Sequence, residues 1–398
     1  MRTTTTHPRA TGAGRRRLVV AGLLAGVLGL SACAKESATT SAGGGSVPKI
    51  GVIVAETGPL AGSGRSFFYG AQIAAKQINE QDLVAGQKVE LVSKEGSEDP
   101  AKTAGVAAQL AADKDILAMA CCILSPVAGA VIPVAEAQKL PVLLWGATQL
   151  GLAKPPYVLR TTTMPQPANE VIGREVAKAK GLKTVAYGVM TDNAGIVSQG
   201  EAFKKGLDAA GVQDLGQVGI LAKQTDFTSA AARLMEKNPE GIVVTATSAE
   251  AVGLIATLHD KGYEGQVVTG ETVLGDGVFK SQPEALDRVP FPVYYLADDS
   301  NARGKKFAED YQAEFGGKPD DFAAQGFNAV YTIAQGLKAA GSEPTRESLT
   351  TALNGITSLD DTIYGKVTFA GGQMDASASV KIVSYTKPDG AVAPWSAP

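Results

Sequence analysis

Residues 49–79 read KIGVIVAETGPLAGSGRSFFYGAQIAAKQIN, and the change of period inside this stretch decides the fold class. Positions 49–54 are a short β-branched run. Thr57-Gly58-Pro59 and Gly62-Ser63-Gly64 interrupt it, and from 66 to 79 Phe68, Ala71, Ala75 and Ile78 recur at spacings of three and four, the mark of a helix with one buried face. The same exchange of strand for helix recurs downstream. Strands are predicted at 88–93, 116–123, 141–145, 184–190, 217–222, 241–245 and 266–269, with helices at 101–112, 126–138, 199–210, 228–237 and 249–261 between them. Alternating units of this length specify α/β architecture with parallel sheets covered on both faces. Two such sheets are expected. Pro155-Pro156 and Thr161-Thr162-Thr163 break the series near its middle, and a further strand at 293–296, helices at 302–315, 322–340 and 345–353 and a β-rich tail at 366–385 complete it.

Upstream of this body the composition changes. The first 32 residues hold five arginines and no acid, and the run from 18 to 30 carries no polar side chain. Thirteen residues fall short of the roughly 20 that span a bilayer, so the run reads as the apolar region of an export signal. Leu30-Ser31-Ala32-Cys33 follows and resembles the lipobox of bacterial lipoproteins, which makes Cys33 the expected acylated N-terminus of the mature chain. An ordinary secretory signal with a coincidental cysteine is the alternative reading, and the consecutive arginines give a weak hint of twin-arginine export. Residues 33–47, rich in Ala, Ser, Thr and Gly, read as a flexible tether. The expected anchor is therefore lipid outside the cytoplasm, with the domain free to move on a leash.

Composition excludes several function classes. Thirty-seven basic against 40 acidic residues gives −3, and subtracting the five arginines of the leader leaves 32 against 40, or −8. No nucleic-acid partner is expected from an acidic chain. His7 lies in the leader, leaving His259 as the one imidazole of the mature chain, near a helix end where a cap or surface role is usual. No nucleophile elbow, phosphate loop or zinc spacing is present, so no enzyme, cofactor or metal is expected. Cys121 and Cys122 read as buried small hydrophobes, with a bond between them disfavoured while their Cβ atoms alternate along a strand.

The informative positions follow strands, where open α/β sheets bind ligands and helix N-termini offer free N–H groups. Leu124-Ser125-Pro126 places Ser125 as a helix cap or as a carboxylate-binding hydroxyl, and the sequence leaves both readings open. Gly146-Ala147-Thr148 offers close backbone approach and a hydroxyl, or a plain polar turn. Gly270-Glu271-Thr272 offers an anion, or a solvated one. Together they would suit a ligand with an anionic and a cationic end.

These residues resemble the type I periplasmic binding proteins of the branched-chain amino acid (Leu/Ile/Val-binding) family, solute receptors of ABC importers. The resemblance runs from about 50 to 383. It rests on Thr57-Gly58-Pro59 with Gly64, Gly70 and Ala71-Gln72-Ile73-Ala74-Ala75, on Ile78-Asn79, Ser125, Gly146-Ala147-Thr148 and Asp226-Phe227, and on Gly270-Glu271, Pro319-Asp320 with Phe322, and Gly365-Lys366-Val367-Thr368-Phe369.

It implies two doubly wound parallel-sheet lobes joined by three crossovers near 166, 293 and 370: residues 48–166 with 293–370, and 167–292 with 371–398. It further implies that Ser125, Gly146 and Thr148 hold a ligand carboxylate, that Glu271 receives an α-ammonium, and that Ala147 and Thr247 belong to the same ligand site. Hinge closure, ABC permease subunits as partners and a monomeric state complete the expectation. A sensory receptor of the same fold is the runner-up, and a hydrolase with paired carboxylates a weaker rival. Ser63, Thr247 and Asn193-Ala194-Gly195 stand where relatives carry aromatics, which implies a wider, more polar cavity than one built for Leu, Ile or Val. Leu124 occupies a position that is cysteine in those relatives.

Overall fold

The computed structural model describes residues 47–274, 277–297 and 300–397. The leader, Cys33 and all of the tether except Val47 lie outside the described residues.

The first series of units is β1 (Lys49–Val54), α1 (Ala61–Glu80), β2 (Glu90–Glu95), α2 (Pro100–Ala112), β3 (Ile116–Ala120), α3 (Ser125–Gln138), β4 (Val142–Leu144) and β5 (Val158–Arg160). The second is α4 (Pro165–Lys180), β6 (Thr184–Met190), α5 (Ala194–Ala209), β7 (Gln213–Ile220), α6 (Thr228–Met235), β8 (Gly241–Thr245), α7 (Ser248–Asp260) and β9 (Gln266–Thr269). Then follow α8 (Val278–Ser281), α9 (Pro283–Leu286), β10 (Phe291–Val293), α10 (Ala302–Phe315), α11 (Asp321–Ala340), α12 (Arg346–Gly355), β11 (Ser358–Thr362), β12 (Gly365–Ala370), β13 (Gln373–Asp375), β14 (Lys381–Thr386) and β15 (Ala391–Pro394).

The expected architecture is present. One sheet has the order β11-β12-β13-β5-β4-β3-β1-β2, its strands from β5 to β2 all parallel and β11 and β12 forming an antiparallel edge. The other, β7-β6-β8-β9, is wholly parallel. Central strands such as β8, Gly-Ile-Val-Val-Thr, are buried along their whole length because helices cover both faces, so their side chains never alternate between core and water. Each sheet accordingly has two apolar layers. Phe67, Phe307, Phe327 and Ile333 fill one side of the first sheet and Met119, Val131, Leu140 and Leu144 the other. Leu254, Ile255 and Phe291 fill one side of the second, and Ile172, Phe203 and Leu207 its opposite face.

The chain passes between sheets after Arg160, after Val293 and after Asp375. The third passage falls later than the expected 370, because β13 stays with the first sheet through backbone pairing of Gln373 with Arg160 and of Met374 with Phe369. A small antiparallel sheet, β10-β14-β15, carries the returning tail. The sulfurs of Cys121 and Cys122 are joined, contrary to the expectation of two separate thiols. β3 stops at Ala120, so the alternation that would hold the two side chains apart has ended before the pair begins. The side chain of His259 is half exposed in the last turn of α7, beside Asp260.

Candidate functional site

In both sheets the first strand has its sequential neighbour on one side and the next strand on the other: β1 lies between β2 and β3, and β6 between β7 and β8. Connections leaving such a point diverge to opposite faces and open a crevice at the carboxyl ends of the strands. The two crevices face each other. The loops and helix starts after β1, β3 and β4 supply Leu60, Ser63, Ile123, Ser125, Gly146 and Thr148, and those after β6, β8 and β9 supply Asn193, Thr247 and Glu271, all lining one cavity of about 90 Å³. The structure therefore brings together Ser125, Gly146, Thr148, Thr247 and Glu271. Ala147 is buried beside them but is absent from the lining, its N–H turned back to the Trp145 carbonyl at 2.9 Å.

Local sequence explains each placement. Trp145, stacked on Phe67 with ring centroids 4.0 Å apart, fixes the base of the Gly146–Thr148 turn. Gly146 has φ +70°, and a Cβ there would sit 2.8 Å from Ile123 Cγ1, so only glycine brings the loops after β3 and β4 this close. Ser125 is the first residue of α3 rather than its cap, the cap position belonging to Leu124. Freed from capping, its Oγ accepts the Gln149 N–H at 3.1 Å and joins the two loops. The Thr247 hydroxyl donates to the Glu250 carboxylate, which also accepts the Lys223 N–H at 2.7 Å, so Thr247 lines the cavity with its polar end already engaged.

Opposite Thr148 stands the start of α5. A Cβ on Gly195 would lie 2.6 Å from Thr148 Oγ1, so glycine at this turn allows the helix N-terminus to come close. Gln199 Nε2 donates to Thr148 Oγ1 at 3.3 Å, and Gln166 Nε2 donates to the Thr148 carbonyl at 3.2 Å and to Ser198 Oγ at 2.8 Å. The two sides of the crevice thus touch through side-chain amides. These glutamines were not legible in the sequence, since a polar residue on an amphipathic helix carries no sign of which neighbour it meets.

Leu60, Ile123, Leu124, Ile196 and Phe322 form the apolar part of the lining, beside polar residues supplied by both series of units. At one end are the Ser125 and Thr148 hydroxyls with the Gly146 turn. Glu271 stands at the other, only 8% exposed, its carboxylate accepting no hydrogen bond among the described residues. Burial, with the Asp321 carboxylate as a second cause, pushes Glu271 up to about 8. A larger open groove of about 560 Å³, bordered by Tyr69, Tyr311 and Phe315 on one side and Phe279 and Tyr385 on the other, shares no lining residue with this cavity.

Behind the cavity a chain of buried hydrogen bonds reaches all three passages between the lobes. The Gly146 N–H donates to Thr162 Oγ1 at 3.3 Å, and that hydroxyl donates to Gln325 Oε1 at 3.1 Å. Gln325 Nε2 donates to Asp321 Oδ2 at 3.1 Å, whose Oδ1 accepts the Tyr294 and Tyr295 N–H groups at 3.2 and 2.9 Å. Gln373 Nε2 meets the Thr162 carbonyl at 3.0 Å, and the Ala376 N–H meets Thr163 Oγ1 at 3.1 Å.

Two sheets with facing switch points and a buried polar-ended cavity between them define a two-lobed solute receptor. The periplasmic binding protein family profile matches residues 48–390, and the chain belongs to that family. Leu/Ile/Val-binding protein homolog 6 of Brucella melitensis is 25% identical over 338 residues, covering 83% of this chain and 85% of the relative. Among solved structures, the branched-chain amino acid transporter substrate-binding protein LivJ of Streptococcus pneumoniae, in complex with isoleucine, is similar with TM-score 0.75 and 22% identity over 87% of this chain and 97% of that one. An ABC transporter solute-binding protein of R. palustris in complex with 4-hydroxybenzoate gives TM-score 0.76 and 22% identity over 88% and 96%. The chain is thus a solute-binding protein and not an enzyme.

Proposed function

We propose that the protein is an extracytoplasmic, lipid-anchored receptor of an ABC importer that captures an amino acid or related small carboxylate-bearing solute by closing its lobes. The observation that carries this reading is the polarity of one buried cavity: hydroxyls and a glycine turn on the first lobe, an unpaired acid on the second, and apolar walls between. Ser125, Gly146 and Thr148 would take the carboxylate, with the adjacent α5 N-terminus adding its positive end from the opposite side. Glu271 would take the ammonium. The lobes taken to move are 48–166 with 293–375 and 167–292 with 376–397, hinged where the three passages meet.

In this mechanism a solute docks on one lobe and favours closure only through contacts made with the second, so Glu271 and Gln199 supply the difference that shifts the population. The closed surface then engages the permease as a monomer. A thermal-shift panel of amino acids, amides, short peptides and aromatic acids tests the reading. At least one carboxylate-bearing solute is expected to raise the melting temperature, and Thr148→Val is expected to reduce that rise sharply; a panel without a responding carboxylate rules the reading out. The anchor has its own measurement. Intact mass of the membrane fraction is expected to show a chain starting at an acylated Cys33, and an unmodified chain starting elsewhere removes the anchor while leaving the receptor.

A further inference from the structure

Glu271 is not the only carboxylate buried near the cavity. Asp321, 2% exposed, is the first residue of α11 on the first lobe, and its neighbour Phe322 lines the cavity together with Glu271 of the second lobe. Its oxygens are held by Tyr294 N–H, Tyr295 N–H and Gln325 Nε2, none of which carries a positive charge. Asp321 is the charged group whose field acts on Glu271, and both acids also act on the buried hydroxyls of Tyr294 and Tyr364. No cation is paired with either acid among the described residues. Two carboxylates buried from opposite lobes repel each other when both are ionised, so Glu271 holds a proton until a cationic group enters with the solute.

We propose that Asp321 is a specificity-determining residue of the cleft, a second buried carboxylate set beside the cavity-lining Phe322 on the lobe opposite Glu271, that makes the site favour solutes carrying a cationic group over carboxylates that lack one. The inference rests on the reading of this cavity as the solute site. Asp321 touches the second passage between the lobes directly and the Gly146 turn through Gln325 and Thr162, so a cation that draws the two acids together acts on the hinge as well as on the pocket. The charged and titratable groups facing it are Glu271 after β9, Asp320 at the cap of its own helix, and Tyr294 and Tyr364.

The experiment is titration calorimetry of the mature protein with matched pairs: leucine, isoleucine, phenylalanine and glutamine, each against its α-hydroxy acid, with benzoate added. For every amino acid that binds, the hydroxy acid is expected to bind about tenfold weaker or worse. In Asp321→Asn, which keeps an acceptor for the two tyrosine amides, that ratio is expected to fall about tenfold through the amino acid alone, the hydroxy acid staying near its wild-type affinity. Should that variant not fold, the wild-type ratio measured from pH 5.5 to 8.5 replaces it and is expected to rise as the acids ionise. An unchanged ratio in the variant, a flat ratio across pH, or benzoate or hydroxy acids binding as tightly as amino acids overturns the inference and leaves a carboxylate receptor standing. Binding by no carboxylate of any kind removes the receptor reading and this inference with it.

Discussion

Replacing Glu271 with glutamine is expected to weaken binding of a zwitterionic solute by about two orders of magnitude or more while raising the melting temperature of the empty protein at pH 8. The loss follows from removing the one acid that lines the cavity without a hydrogen-bond donor of its own. The gain follows from proton linkage. Glu271 ionises near 4.5 in an unfolded chain and near 8 in the folded one, because burial and Asp321 oppose its charge. Between those values the folded state binds more protons than the unfolded state, so stability falls as pH rises. The contribution is intact below the unfolded value and gone above the folded one, and at about 1.4 kcal/mol per unit the penalty at pH 8 is of the order of several kcal/mol. Glutamine has no charge to bury. Calorimetric melts are expected to superimpose near pH 4.5 and separate near pH 8, with the variant the more stable; equal melting temperatures at pH 8 would mean that Glu271 is solvated rather than buried. Asp321, also raised, leaves both proteins a shared slope below about 6.

The second large effect lies in the seam that holds the first lobe. A methyl group on Gly70 of α1 would overlap the Ala323 carbonyl of α11, and one on Gly326 of α11 would overlap the Phe67 carbonyl of α1. The helices interlock at two glycines, with backbone against backbone and no flexible side chain to give way. Gly70→Ala or Gly326→Ala is therefore expected to lower stability in urea by about 3 kcal/mol or more. Gly105→Ala in α2, where a methyl meets nothing within 4 Å, is the control and is expected to stabilise by about 0.5 to 1 kcal/mol. Because α1 carries Ser63 and α11 begins at Asp321 and Phe322, the seam variants should also lose solute affinity. Equal stability of Gly70→Ala and Gly105→Ala would contradict the interlock.

What the sequence made legible follows the physics of each element. Strands β6 and β8 fall where their β-branched runs end, since an interior parallel strand must be apolar throughout and glycine or polar residues mark both limits. β7 begins four residues earlier than its apolar pattern, at Gln213, because as an edge strand it gains backbone bonds to β6 without needing buried side chains there. The residues after strands were readable as a site because helix starts and glycine turns leave N–H groups and space. Gln166, Gln199 and Asp321 were not, since their roles arise from partners 18 to 51 residues away. The cavity's apolar wall was not legible for a related reason: Leu60, Ile123, Leu124, Ile196 and Phe322 come from four separate segments that only the fold brings together.

The central claim is that one small solute spans the two lobes with its carboxylate at the first and its ammonium at the second. A crystal structure of the mature protein with the solute that most raises its melting temperature tests this most directly. The account predicts the carboxylate within hydrogen-bond distance of Ser125 Oγ and the Gly146–Thr148 turn, and the ammonium against Glu271 with Asp321 behind it. Density for the solute in the open groove beside Tyr69 and Phe315, with the cavity empty, would contradict it.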